Sequence, residues 1–163
     1  MGQYSKALEN YEKALALKQK SLPANHPDLA ASYNNIGLVY FQMGEYSRAL
    51  EKYEKTLDLK QKSLPANHPD LAASYNNIGS VYSETGEYTR ALDNYKKALD
   101  IERKSLPATH PDLAIGYNNI GSVYSATGEY STALENYEKA LDIGRKSLPA
   151  THPDFAATSS NVG

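Results

Sequence analysis

Between residues 26 and 42 the apolar positions recur at intervals of three and four: Tyr33, Ile36 and Tyr40, with Gly37 beside them. At 3.6 residues per turn they share one stripe about 100° wide, which predicts an amphipathic helix. Residues 45–63 carry a second stripe of Ala49, Tyr53 and Thr56, flanked by Leu50, Leu57 and Leu64. Turn residues separate the two. Asn25-His-Pro-Asp28 reads as a helix start, with Asn25 as N-cap, Pro27 in the first turn and Asp28 three residues after the cap, placed to return a hydrogen bond to it. Gly44 supplies a left-handed stop for the first helix, and Pro65 ends the second by restricting the residue ahead of it.

The same two stripes return every 42 residues. HPDLA begins at His26, His68 and His110, and HPDFA at His152. Block 68–109 matches 26–67 at 29 of 42 positions, and 110–151 matches 68–109 at 34 of 42. Residues 1–25 align with the second half of a block and 152–163 with its first twelve residues. The expected organisation is a half repeat (1–25), three repeats (26–67, 68–109, 110–151) and the start of another first helix (152–163), as in a window cut from a longer array. One helix pair cannot bury its apolar face alone, so neighbouring pairs must stack into an all-α solenoid.

Composition follows the repeat. All 14 Tyr fall at four repeat positions, all eight Pro at two and all four His at one. Glycine within a helix costs about 1 kcal/mol against alanine, so Gly37, Gly79 and Gly121 predict close helix–helix approach. Glu51–Lys55, Asp58–Lys62 and their equivalents stand at i,i+4 in the favourable order and mark a solvated outer face. The C-terminus is expected to be the least ordered, because Gly144 replaces Glu102 and the last segment, reading Thr158-Ser159-Ser160-Asn161, loses its tyrosine. A net charge of −2 gives no electrostatic footprint for nucleic acid or an anionic membrane, and no apolar run is long enough for a membrane span. Lys6 breaks the pattern that would make Met1-Gly2 a myristoylation start. The absence of cysteine excludes disulfides and thiolate metal sites and fits a cytoplasmic setting.

Tyr33, Ile36-Gly37, Tyr40, Ala49, Tyr53 and Thr56 stand at the spacing of the tetratricopeptide repeat signature, with Tyr33 where tryptophan is usual. The resemblance covers the whole chain. The usual repeat has 34 residues; this longer one, with its HPD start and Asn-Asn pair, resembles the repeats of kinesin light chains. The resemblance implies a right-handed superhelical solenoid of antiparallel helix pairs, whose first helices line a concave groove that holds peptides.

Helical geometry names the strip facing away from the packing stripe: Ala31, Asn35, Leu38 and Gln42, then Ala73, Asn77, Ser80 and Glu84, then Ile115, Asn119, Ser122 and Ala126. Asparagine is a mediocre helix former, so its recurrence at 35, 77 and 119 points to hydrogen bonding. An amide both donates and accepts and so can hold a peptide backbone; the resemblance also implies peptide contact at this position. Asn34, Asn76 and Asn118 lie nearer the packing stripe and are expected to bond between repeats. Leu38, Phe41, Gln42 and Met43 give way in later copies to Ser80, Ser83, Glu84 and Thr85, then Ser122, Ser125, Ala126 and Thr127. That change reads as a local apolar pocket in the first full repeat, as drift at exposed positions, or as burial of Phe41 against the preceding repeat. The first helices contain no Lys or Arg, so the carboxylate-gripping mode of some tetratricopeptide domains, and the acidic-cargo specificity of kinesin light chains, are not expected here.

His26, His68, His110 and His152 each belong to a different repeat and are expected to serve helix starts rather than a metal. A unique catalytic constellation is not expected where nearly every candidate group occurs three times, and no cofactor or enzymatic activity is indicated. The reading that fits best is a protein-interaction scaffold binding an extended peptide. The alternatives are an array that associates head to tail through its incomplete terminal repeats, and an engineered or duplicated fragment with no evolved ligand.

Overall fold

The computed structural model describes residues 2–147. Seven helices follow in order: α1 (Gly2–Ser21), α2 (Pro27–Gln42), α3 (Tyr46–Ser63), α4 (Pro69–Glu84), α5 (Tyr88–Ser105), α6 (Pro111–Ala126) and α7 (Tyr130–Ser147). The expected start of a further helix at 152–163, His152 included, lies outside the described residues. The chain forms two compact units, residues 1–105 and 106–163. In the first, α1 packs on α2, α2 on α3, α3 on α4 and α4 on α5; in the second, α6 packs on α7.

The helix starts differ from the sequence expectation. The N-cap is histidine: Nδ1 of His26 accepts from the backbone N–H of Asp28 at 3.1 Å, His68 from Asp70 at 3.1 Å and His110 from Asp112 at 3.2 Å. Proline at the next position removes an N–H that would otherwise be orphaned, and the imidazole serves the one after it. The aspartate carboxylates remain near the positive helix end, where their charge is favourable.

The helix stops are as the sequence predicts. Gly44 (φ 74°), Gly86 (φ 77°) and Gly128 (φ 84°) sit in the left-handed region. The N–H of Glu45 reaches the carbonyl of Tyr40 at 2.9 Å and that of Gly44 reaches Phe41 at 3.0 Å, closing a Schellman motif. Glu87 and Glu129 repeat the long bond to Tyr82 and Tyr124 at 2.8 Å.

The mid-helix glycines mark the tightest packing. A Cβ on Gly37 would lie 2.9 Å from ring carbons of Tyr53, one on Gly79 2.8 Å from Tyr95, and one on Gly121 2.9 Å from Tyr137. Each first helix therefore takes the tyrosine ring of its partner directly against its backbone. Ile36, Ala49, Tyr53, Leu59, Ile78 and Val81 belong to the buried core around this contact. Thr56, fully buried where the later copies have Ala98 and Ala140, satisfies its hydroxyl on the carbonyls of Lys52 (2.9 Å) and Ala30 (3.3 Å). Gly144 has open space where its side chain would be, so it weakens α7 through helix propensity alone.

The outer charge pairs form in part. Lys62 bonds Asp58 at 2.8 Å and Lys146 bonds Asp142 at 2.6 Å. Glu51 pairs with Lys52 instead of Lys55, while Lys97 and Lys139 lie over the rings of Tyr75 and Tyr117 at 5.7 and 5.8 Å. A ring face competes well with an exposed carboxylate for a lysine that must lose side-chain freedom in either case.

Candidate functional site

Within residues 1–105, α2 and α4 present the predicted strip. Asn35, Leu38, Gln42 and Glu84 are exposed, Leu38 at 45%; Asn77 and Ser80 are half-buried. The unit 106–163 carries Asn119, half-buried, with Ser122 and Ala126 exposed on α6. These side chains stand opposite the buried Ile36, Gly37 and Tyr40 and their equivalents, as the helical period requires.

The asparagines are not equivalent. Asn77 donates to Oδ1 of Asn34 at 3.0 Å, which sets the inner faces of α2 and α4 side by side and commits one N–H of Asn77. Asn34 thus makes the expected bond between repeats. Asn76 departs from that expectation: it donates to Oε1 of Glu102 at 3.2 Å, inside its own repeat. The serines of the strip have structural work as well. Ser80 shares a hydrogen bond with the Tyr95 hydroxyl at 3.1 Å, and Ser122 accepts from Tyr137 at 3.2 Å. Leu38 brings no hydroxyl to the corresponding Tyr53. Burial pushes Tyr53 up to about 12 and raises Tyr95 in the same direction, with the Ser80 bond opposing.

Of the apolar residues special to α2, Phe41 packs edge-on against Tyr46 of its own repeat, at 5.6 Å between ring centres and 63° between planes. Leu38 and Met43 remain open to solvent. The Tyr46 hydroxyl also donates to Oε2 of Glu84 at 3.4 Å, holding that carboxylate over the C-terminal end of the strip.

Beside the strip stands a basic group that does not belong to a first helix. A hollow of about 390 Å³ opens beside Ala31, Asn34 and Asn35, and Lys60 reaches into its wall from α3. The Lys60 ammonium is half-buried and donates to the backbone carbonyl of Asp70 at 3.0 Å. Burial pulls its pKa below the usual lysine value, with the charge of Asp70 partly opposing. The first helices lack basic residues, but a second helix supplies one. The signal was present in the sequence: Lys60 follows Tyr53 and Thr56 at i+7 and i+4, so a charge interrupts a packing stripe. The equivalent residues are spent differently, with Lys18 donating to the Ser32 hydroxyl at 3.0 Å and Glu102 accepting from Asn76.

Another face departs from the buried pattern. On α7, Tyr130, Leu134, Tyr137 and Leu141 are exposed at 70, 59, 36 and 54%, whereas Tyr95 and Leu99 at the positions of the last two are buried in α5. Among the described residues no cluster of three or more histidine and carboxylate side chains is arranged to hold a metal, and no helix is long and apolar enough to cross a membrane.

Helix pairs with a tyrosine laid on a mid-helix glycine, repeated with a polar inner strip, define an all-α helical-repeat scaffold. The profile of the tetratricopeptide repeat matches residues 1–62 and 70–146, and the chain belongs to that family. Its repeats are of the kinesin-light-chain-like type. The crystal structure of a Podosopora anserina putative kinesin light chain with nearly identical TPR-like repeats is 28% identical; the match covers 93% of this chain and 72% of that one, with a TM-score of 0.79. BtubC (BKLC) from P. vanneervenii is 27% identical over 93% of this chain and 60% of its own, with a TM-score of 0.82. The apo form of RapI is 25% identical over 90% of this chain and 39% of its own, with a TM-score of 0.74. No curated protein matches. The family is one of protein-interaction scaffolds.

Proposed function

We propose that the chain binds an extended peptide segment of a partner protein along the inner strip of its first helices. The observation that carries this reading is the open amide of Asn35 beside the half-committed amide of Asn77, with Leu38 and Gln42 exposed between them and the C-terminal end of α2. An amide that can donate and accept at once matches a peptide unit, which does the same, and so holds a backbone with little regard to side chains. Leu38 adds an exposed aliphatic contact that the later copies lack. Asn35, Leu38, Gln42, Asn77, Ser80 and Glu84 form the strip of the first unit; Asn119, Ser122 and Ala126 hold the same repeat positions in the second.

A peptide-library screen of wild type against the Asn35→Ala, Asn77→Ala, Asn119→Ala triple variant tests this. Each neutral hydrogen bond lost contributes about 0.5–1.5 kcal/mol, so the triple variant is expected to bind selected peptides at least tenfold more weakly with its helical content intact. Unchanged affinities would remove the strip from the function.

A further inference from the structure

The second and third repeats close a hydrogen bond that the first leaves open. In the second, Ser80 spends its one proton on the carbonyl of Asn76 at 3.0 Å. At its 3.1 Å contact with the Tyr95 hydroxyl it must therefore accept. In the third, Tyr137 donates to Ser122 at 3.2 Å. Leu38 holds that position in the first repeat and offers no acceptor. Among the described residues the Tyr53 hydroxyl finds no other partner, although Tyr53 is only 3% exposed. Burial alone raises its pKa, whereas on Tyr95 the Ser80 bond acts as well.

The open donor lies at the strip. The Tyr53 ring rests on the backbone of Gly37, with ring carbons 2.9 Å from where a Cβ would stand. Leu38 is the next residue and is 45% exposed. Because the equivalent Tyr95 hydroxyl reaches Ser80 on the strip, the Tyr53 hydroxyl comes up at the level of Leu38. It is not sealed beneath the surface, so in the free chain only solvent can serve it. A lone exposed leucine needs no explanation. A leucine standing beside a nearly buried phenol with a proton to give does, since a donor left unserved costs more than an ordinary hydrogen bond contributes. Asn35 and Gln42, about one turn to either side, are exposed and uncharged.

We infer that Leu38 and the Tyr53 hydroxyl form a subsite for one aliphatic residue of the bound segment, whose side chain packs on Leu38 while an adjoining backbone carbonyl accepts from Tyr53. This rests on the peptide-binding reading above and deepens it by naming the residue class preferred and the repeat that takes it. The carbonyl follows from the donor, since every peptide unit carries an acceptor. The aliphatic side chain follows from Leu38, which gains by being covered only with apolar surface. A carboxylate or ammonium placed there would lose water and find no opposite charge among Asn35, Leu38, Gln42 and Tyr53. In α4 and α6 the serine and tyrosine already satisfy each other, so those repeats hold no such subsite.

Four synthetic peptides decide the matter, Ser-Ser-Ser-X-Ser-Ser-Ser with Leu, Ser, Glu or Lys at X, titrated into the full chain and followed by NMR. Wild type is expected to bind the Leu peptide about fivefold more tightly than the other three. Leu38→Ser is expected to abolish that preference, because the new hydroxyl can accept from Tyr53 as Ser80 does from Tyr95. Tyr53→Phe keeps the ring on Gly37 and removes only the donor. It is expected to weaken all four peptides by about fivefold and to leave the preference for Leu in place. Thermal melts confirm that both variants are folded. The inference is overturned if wild type does not favour Leu, if Leu38→Ser keeps the preference, or if Tyr53→Phe binds as wild type does. Binding that needs Asn35 and Asn77 yet ignores both changes would overturn it and leave the peptide-groove reading standing. So would binding by none of the four while peptides from the library screen are still held. A Leu preference that follows Leu38 and Tyr53 but survives loss of the asparagines would support the subsite and remove the amides from the function.

Discussion

Tyr95→Ala is expected to destabilise the protein by about 3–5 kcal/mol, the usual cost of deleting a buried aromatic ring. The ring is 5% exposed and lies on the backbone of Gly79, where an added Cβ would sit 2.8 Å from two of its carbons. Gly79→Ala is also expected to destabilise, by about 1–3 kcal/mol, because the ring would have to leave its place. The informative result is the combination. Alanine favours a helix over glycine by about 1 kcal/mol, so with the ring gone Gly79→Ala should turn neutral or stabilising. Chemical denaturation of the two single variants and the double variant provides the cycle. Equal costs of Gly79→Ala in both backgrounds would show that the glycine is kept for some reason other than the ring.

The protein is expected to lose stability steeply above pH 10. Burial raises Tyr53 from 10.0 to about 12, and Tyr95 is raised for the same first reason. A group whose folded pKa exceeds its unfolded value contributes fully below the unfolded pKa and loses that contribution as pH climbs toward the folded one. For Tyr53 the loss runs over about two pH units and amounts to roughly 3 kcal/mol. Lys60 works in the opposite sense, since its lowered pKa lets the folded form shed an unfavourable buried charge as pH approaches 10.5. Its relief is complete before the tyrosine loss is. Denaturation midpoints taken across this range, together with tyrosinate absorbance, check the expectation. The late-titrating tyrosines Tyr40, Tyr53 and Tyr95 should ionise with unfolding; all tyrosines ionising together near pH 10 in a folded chain would refute the burial argument.

The helices, their glycine stops and the close helix–helix approach at the mid-helix glycines were legible in the sequence because each depends on local spacing; which ring fills that approach was not. A stripe, a left-handed glycine and a missing side chain leave marks within a few residues. The histidine cap was less legible. Asn25 and His26 can both accept from the helix start, and sequence does not reveal which residue takes the extended conformation ahead of Pro27. The strip itself followed from the 3.6-residue period, but the commitments of its members did not. Whether Asn77 bonds Asn34, or Ser80 bonds Tyr95, depends on how closely neighbouring helices approach. Lys60 was missed for a related reason: its charge stands beside the strip on a second helix, so a search confined to first helices could not reach it.

The central claim is that the inner strip, and no outer face, holds a peptide. Side-chain amide and backbone resonances, followed by NMR as the tightest peptide from the library screen is added, test it most directly. The account predicts shifts concentrated at Asn35, Leu38, Gln42, Asn77 and Ser80, with the outer residues Lys55, Asp58 and Lys97 unmoved. Shifts centred on those outer residues, with the amides of Asn35 and Asn77 unchanged, would contradict it.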